Sequence, residues 1–361
     1  MMGAMPVGDL LSRAALPLLH RVDPERAHRL ATTALLFGLA GRAPPDADDM
    51  LAVDAMGLRF PNPIGLAAGF DKDARVVRPL ARLGFGLVEA GTVTLRPQPG
   101  NPAPRLFRLP EDGAVINRMG FNNGGVRPFR DRLRRLAEAG RRGRGAGVPV
   151  GANVGINKDS ADPERDYAAM VRLLAPHADY LVMNLSSPNT PGLRALQDAD
   201  RMRALLGAIA AAAPVRPPLL VKLAPDLPFD ALPAIVDAVV AGGAQGLIVS
   251  NTTLDRAAEL RGAHRGETGG LSGRPLRAKS TAMLREVSRL ADGRLVLVGC
   301  GGIETGADIL EKLRAGAHLV QIYTRFIWEG APMLPRLKRE LRDELRRHGW
   351  RSVRDAVGAA R

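Results

Sequence analysis

Short apolar runs separated by amphipathic stretches dominate the chain beyond residue 60. This alternation predicts parallel strands joined by crossover helices. The runs fall at Ile64–Ala68, Leu87–Val93, Val150–Val154, Tyr180–Asn184, Leu219–Leu223, Gly246–Ser250, Leu295–Gly299 and Leu319–Tyr323. Helical periodicity fills intervals at Pro163–Leu174, Leu205–Ala213, Phe229–Val240, Arg277–Leu290 and Gly306–Ala315. Eight such units in about 300 residues suit an α/β fold, the (β/α)8 TIM barrel. A doubly wound sheet wants a glycine-rich turn between its first strand and helix. The cluster Gly140-Arg-Arg-Gly-Arg-Gly-Ala-Gly follows a helix instead and reads as a basic loop.

Ahead of the barrel, Leu10 to Ala40 reads as two short amphipathic helices, a small N-terminal extension. In the first, Leu11, Ala14, Ala15, Leu18 and Leu19 share a face, with Pro17 as a kink. Asp23 caps the second, with Pro24 in its first turn. Its apolar stripe is Ala27, Leu30, Ala31, Ala34, Leu35 and Leu39, widened by Leu36 and Phe37. Gly41-Arg-Ala-Pro-Pro-Asp breaks the pattern as a linker, so the chain divides at 1–42 and 43–361. Residues before Met5 read as extra leader. No run of about 18 apolar residues exists to span a membrane, and charges interrupt the only signal-like segment. Thr94 to Asn123, between the second strand and its helix, is too long for an ordinary connection and reads as a functional loop.

Composition narrows the classes. The 361 residues are 46% hydrophobic, 24% charged and 4% aromatic, which excludes a disordered or collagen-like chain. A single cysteine, Cys300, excludes a disulfide framework, and the six histidines lack ligand spacing, so no metal is expected. The net charge of +14 comes mostly from arginine, since only six basic residues are lysine. A basic surface attracts polyanions, nucleic acid or anionic lipid, and the charge alone does not choose.

Polar residues at strand ends mark the catalytic face of such a barrel. Every strand delivers them: Ala67-Ala-Gly-Phe-Asp-Lys-Asp, Gly91-Thr92, Asn153, Asn184-Leu-Ser-Ser-Pro-Asn, Lys222, Ser250-Asn-Thr, Gly299-Cys-Gly-Gly and Tyr323-Thr324. Gly299, Gly301 and Gly302, with Tyr323 and Thr324, stand where barrels hold a phosphate, although a tight turn alone would also use glycine. Lys222 lies in the apolar run Leu219-Leu-Val-Lys-Leu, and a buried ammonium needs an anionic or electron-rich partner. Lys72 suits a carboxylate, or is a solvated loop lysine. Ser186 and Ser187 have no histidine in any rim motif, so they either cap the turn or act as a base in a closed site.

Together these segments resemble the family-2 dihydroorotate dehydrogenases, the membrane-associated, quinone-reducing flavoenzymes of pyrimidine synthesis. The resemblance runs from about Val22 to about Pro332. It rests on Asp23-Pro-Glu-Arg-Ala-His, Gly65-Leu-Ala-Ala-Gly-Phe-Asp-Lys, Gly91-Thr-Val-Thr, Arg96-Pro-Gln-Pro-Gly-Asn-Pro, Asn117-Arg-Met-Gly-Phe-Asn-Asn, Asn184-Leu-Ser-Ser-Pro-Asn-Thr-Pro-Gly-Leu-Arg, Val221-Lys-Leu-Ala-Pro-Asp, Ser250-Asn-Thr-Thr and Gly269-Gly-Leu-Ser-Gly-Arg-Pro-Leu. It implies one FMN per chain across the barrel mouth, held by Ala68, Gly69, Phe70, Asp71, Lys72, Thr92, Asn153, Asn184, Lys222, Ser250, Gly273, Gly302, Tyr323 and Thr324. Dihydroorotate, becoming orotate, would meet Lys72, Asn117, Arg118, Met119, Gly120, Phe121, Asn184, Asn189, Asn251 and Thr252. Ser187 would be the base that takes the C5 proton while C6 gives hydride to the flavin. The soluble relatives use cysteine at that position, so Ser187 sorts this chain with the quinone-linked group.

The resemblance also implies that the N-terminal helices form an apolar tunnel for ubiquinone or menaquinone, dipping into an anionic membrane surface met by Arg13, Arg21, Arg26 and Arg29. An ordinary packed hairpin is compatible with the same pattern. The expected location is peripheral, on the cytoplasmic face of the bacterial membrane, or the mitochondrial inner membrane in a eukaryote. Two residues depart from the family pattern, Arg325 for a small residue and Cys300 for valine. A flavin barrel acting on RNA uracil, like a dihydrouridine synthase, is the alternative suggested by Arg132, Arg134, Arg135, Arg141, Arg142 and Arg144. It would need a cysteine acid and an RNA-binding domain, neither of which is found, so no nucleic-acid partner is expected.

Overall fold

The computed structural model describes residues 15–44, 46, 48–141 and 145–360. Three antiparallel or barrel systems organise the strands. The hairpin β1 (Val53–Ala55) and β2 (Leu58–Phe60) precedes β3 (Ile64–Leu66) and β4 (Leu87–Val93). β5 (Leu106–Leu109) and β6 (Ala114–Asn117) lead to β7 (Val150–Val154), β8 (Tyr180–Asn184), β9 (Leu219–Leu223) and β10 (Gly246–Val249). β11 (Gly270–Gly273), β12 (Val296–Cys300) and β13 (Leu319–Ile322) complete the set. β3, β4, β7, β8, β9, β10, β12 and β13 close a parallel eight-stranded barrel. Its interior is packed: β4, β7, β8 and β9 are buried at every position.

The expected barrel strands are observed to within two residues. The helices hold as well, with two shifts. The one expected at Leu205 begins at Ala199 because Asp198 caps it, accepting from the Asp200 and Arg201 N–H groups. The one expected at Phe229 opens with a 3-10 turn before Leu232–Ala241.

The segment read as a long loop is instead partly sheet. β5 and β6 form a hairpin, and β11 pairs with β6 from over 150 residues away, Gly270 against Asn117. Phe107, Leu109, Ala114, Ile116, Leu260 and Leu271 give this sheet its own small core. It stands across the carboxyl ends of the strands and carries Asn117 to the cavity.

The N-terminal helices appear as α1 (15–21) and α2 (Pro24–Leu36). Asp23 caps α2 as expected, its carboxylate accepting from Arg26 N–H at 2.9 Å. Arg108 of β5 donates to the carbonyls of Leu19, His20 and Val22, a cation at the last carbonyls of α1. Glu25 pairs with Arg105 at 2.7 Å, both largely shielded. The expected apolar face needs rotation: Leu18 is 64% exposed, whereas Ala15, Leu16 and Leu19 turn inward. On α2, Ala27, Ala31, Ala34 and Leu35 face inward and Leu36, though half-exposed, lines a cavity at the strand ends, but Leu30 faces out. Leu11, Arg13, Ala14, the leader, and Arg142 and Arg144 of the basic loop lie outside the described residues.

Candidate active site

Three adjoining cavities, sharing parts of their walls, lie at the carboxyl ends of the strands and under the N-terminal helices. The first, about 420 Å³, is lined by strand-end loops and by β6. The second, about 80 Å³, lies against the turns after β12 and β13. The third, about 440 Å³ and mostly apolar, runs beneath α1 and α2. Tyr323 lines all three.

The first cavity gathers Lys72, Asn117, Met119, Gly120, Phe121, Asn184, Ser187, Asn189, Asn251 and Thr252. Four carboxamides define its polar wall. Asn189 donates to Asn117 Oδ1 at 3.3 Å, and Asn251 donates to Asn184 Oδ1 at 3.3 Å. Asn184 in turn donates to Thr92 Oγ1 at 2.9 Å. Neutral amides present both donors and acceptors, which suits a planar cyclic diamide. Lys72 donates to the Gly69 carbonyl at 2.7 Å, and burial brings its ammonium down to about 8. It remains a cation at neutral pH and can pair with a carboxylate. Arg118 does not line this cavity: its guanidinium pairs with Glu267 at 2.7 Å and lies over the Phe107 ring.

Ser187 sits on the loop after β8, 6% exposed. Its Oγ accepts the Asn189 N–H at 3.3 Å, as an ST-type turn would arrange. The loop is fixed from behind by Arg194, which donates to the Ser186 carbonyl at 3.0 Å and the Thr252 carbonyl at 2.9 Å. Asp226 holds that guanidinium at 2.7 Å. Asp226 also binds Lys279 and the Thr253 hydroxyl, and these bonds keep its carboxyl down at about 2 despite burial. One clamp thus joins the loops carrying Ser187 and Asn251. Arg194 and Asp226 end two of the motifs quoted from the sequence but were given no role there.

The second cavity collects Lys222, Ser250, Gly273, Gly301, Gly302, Tyr323 and Thr324. Lys222 is 5% exposed and, among the described residues, donates no hydrogen bond and forms no ion pair. Gln321 Oε1, buried and unpartnered, lines the same cavity. At Gly302, with φ at +75°, a Cβ would stand 2.4 Å from Arg277 Cα, so only glycine lets that turn form. An unpaired buried ammonium beside bare backbone is the donor set a phosphorylated, electron-rich ring requires. The residues fit FMN.

Other expected contacts stand further back. Asn153 is fully buried behind Thr92, accepting its hydroxyl at 2.5 Å and donating to Glu89 at 2.7 Å. The Asp71 carboxylate is used up by the Arg75 and Val76 N–H groups, both at 2.7 Å, and shapes the loop of Gly69 and Phe70. Arg325 lines the small cavity, but Glu329 and Glu304 engage its guanidinium. Burial raises the Cys300 thiol, which makes it a poor nucleophile.

His28, Glu25 and Arg105 also line the first cavity and were missed from sequence. Burial and the neighbouring Lys72 push the His28 imidazole down to about 3, so it is neutral. It meets the Phe70 ring edge-on at 4.8 Å. His28, Phe70, Leu106, Val115 and Tyr323 are the partition shared with the apolar tunnel.

Comparison with known proteins places this geometry. Residues 50–345 match the family model described as dihydroorotate dehydrogenase. The dihydroorotate dehydrogenase (quinone) of Azorhizobium caulinodans is 51% identical over 95% of this chain and 97% of its own. The mouse mitochondrial dihydroorotate dehydrogenase (quinone) is 48% identical over 95% of this chain and 88% of its own. The crystal structure of the Eimeria tenella enzyme in complex with ferulenol superposes with a TM-score of 0.90 at 40% identity. It covers 93% of this chain and 95% of that one.

Proposed function

The chain belongs to the quinone-dependent class of the dihydroorotate dehydrogenase family, and on that premise we propose which residues carry each part of the reaction. It is an oxidoreductase that converts dihydroorotate to orotate in pyrimidine biosynthesis, with FMN as cofactor and a quinone as acceptor. The observation that carries the residue assignment is Lys222, a buried ammonium open to the small cavity without a protein partner.

Gly273, Gly302 and Thr324 hold the FMN phosphate end. Ala68, Gly69, Lys222, Ser250 and Tyr323 meet the rest, with Phe70 at the edge. Thr92 and Asn184 line the ring, and Asn153 and Asp71 support them from behind. Bound FMN supplies a hydride acceptor for C6 of the substrate. Lys72 pairs with the substrate carboxylate. The Asn117–Phe121 segment and the amides of Asn184, Asn189 and Asn251, with Thr252, fix the pyrimidine. They stabilise the charge that develops as its C5 proton leaves. Ser187 Oγ accepts that proton. Arg118 serves this wall indirectly, by tying it to Glu267.

The segment 1–42 forms the quinone entrance and residues 43–361 the catalytic barrel. Five of the eight exposed large apolar side chains among the described residues, Leu18, Leu30, Leu36, Phe37 and Leu39, belong to this short segment. Exposed Arg21, Arg26 and Arg29 flank them. That pattern supports a peripheral protein resting on the anionic cytoplasmic surface of a bacterial membrane. No helix among the described residues is long and apolar enough to cross a membrane.

Two results are expected. The purified protein is yellow, bleaches with dihydroorotate and regains colour with quinone; a colourless chain that takes up no offered FMN overturns the assignment. Sedimentation with vesicles containing phosphatidylglycerol drops about tenfold when the exposed Leu30 and Phe37 are both changed to Ser. Unchanged sedimentation removes the membrane role of this face.

A further inference from the structure

Lys312 is fully buried, in the last turn of the helix Gly306–Arg314. Its ammonium donates to Ser280 Oγ at 2.6 Å, Thr281 Oγ1 at 2.7 Å and the Arg277 carbonyl at 3.5 Å. All three acceptors are neutral. They lie within the first five residues of the helix Arg277–Ala291, near the end where the helix dipole opposes a positive charge. The nearby acids are engaged elsewhere: Arg277 takes both Asp308, at 2.5 Å, and Glu311, at 2.7 Å. The remaining neighbour is the Cys300 thiol, which burial keeps protonated. The cation is therefore hydrogen-bonded but in no direct ion pair, and Asp308 and Glu311 act on it only from beyond contact, past Arg277.

Its position gives the reason. Ser280 Oγ shares its one proton between the carbonyls of Arg277 and Gly301, each at 3.1 Å. Gly301 and Gly302 form the turn that lines the small cavity. The ammonium thus lies two hydrogen bonds behind that turn. We propose that Lys312 is a positioning charge for the cofactor phosphate: through Ser280 it anchors the Gly301 carbonyl, and its charge favours a phosphate monoester in the small cavity. It touches neither substrate nor cofactor. The proposal rests on the FMN reading of that cavity.

Proton linkage makes it testable. Burial lowers the ammonium to about 8 in the empty site. An added dianion raises it, so affinity for the phosphate is full below about pH 8 and declines as pH rises through the bound value. The phosphate itself is already a dianion there, its second pKa being about 6. Riboflavin, which has the ring without the phosphate, separates this from Lys72 in the first cavity, and the Lys312 variant separates it from Lys222, which lines the small cavity.

The experiment titrates the flavin-stripped full chain with FMN and with riboflavin, following flavin fluorescence. In the native chain the FMN-to-riboflavin affinity ratio falls about tenfold between about pH 7 and about pH 9. In Lys312→Met the ratio is already about tenfold lower at pH 7 and no longer depends on pH. A variant that loses both flavins equally assigns Lys312 a merely structural role and overturns the proposal, as does an unchanged ratio. Should the variant not fold, a pH-independent ratio in the native chain overturns it equally. A native chain that binds no FMN sinks the cofactor reading instead.

Discussion

Ser187→Ala protein keeps its FMN but reduces it with dihydroorotate about a hundredfold to ten-thousandfold more slowly than the native chain. The geometry isolates the hydroxyl. Ser187 Oγ makes one hydrogen bond, from Asn189 N–H, and belongs to the first cavity but not the second. Removing it leaves the phosphate turns, Lys222 and the Arg194–Asp226 clamp in place. What is lost is the only hydroxyl among the residues ascribed to C5 that can accept a proton there. Stopped-flow bleaching under anaerobic conditions measures the step without quinone. Bleaching at the native rate would remove Ser187 from the reaction. Ser187→Cys, which restores an ionisable group, recovers part of the rate at higher pH.

Ala31→Trp has the opposite signature. Ala31 faces the apolar tunnel from α2 and is absent from the other two cavities. An indole there fills the passage between the helices and the partition of His28, Phe70 and Tyr323. Reoxidation by quinone slows about a hundredfold, because even a small displacement from contact geometry is costly. Anaerobic bleaching by dihydroorotate stays within about twofold, since the substrate wall is untouched. Equal loss of both half-reactions would show that the tunnel is not a separate route. The pair of variants divides the reaction into its two halves on two faces of one site.

The barrel was legible because each of its strands is an apolar run with polar or glycine residues at one end. Val150–Val154 and Leu219–Leu223 needed no tertiary information. The three-stranded sheet was not legible. β11 reads Gly-Leu-Ser-Gly, which has no strand propensity, and it exists because β6 offers it an edge over 150 residues away in sequence. The rim residues were found because strand ends are where chemistry sits in this fold, whereas His28 and Glu25 reach the cavity from a helix outside the barrel. Periodicity likewise gave α1 and α2 an apolar stripe but could not say that they have two: one lines the tunnel and the other, with Leu18 and Leu30, faces outward. Arg118 shows the converse error, a residue inside a binding motif whose neighbours line the cavity while its own side chain braces the wall.

The ion pair between Glu25 and Arg105 joins parts that the chemistry keeps apart. Arg105 also donates to the carbonyls of Pro99 and Asn101, each at 2.7 Å, and Asn101 in turn donates to the carbonyls of Arg118 and Asn189 beside the first cavity. Glu25 belongs to the helix whose outer side is ascribed to lipid. With both partners shielded from water, salt screens this link little. A displacement of α2 is therefore opposed by the loop of Pro99 and Asn101, and a displacement of that loop by α2.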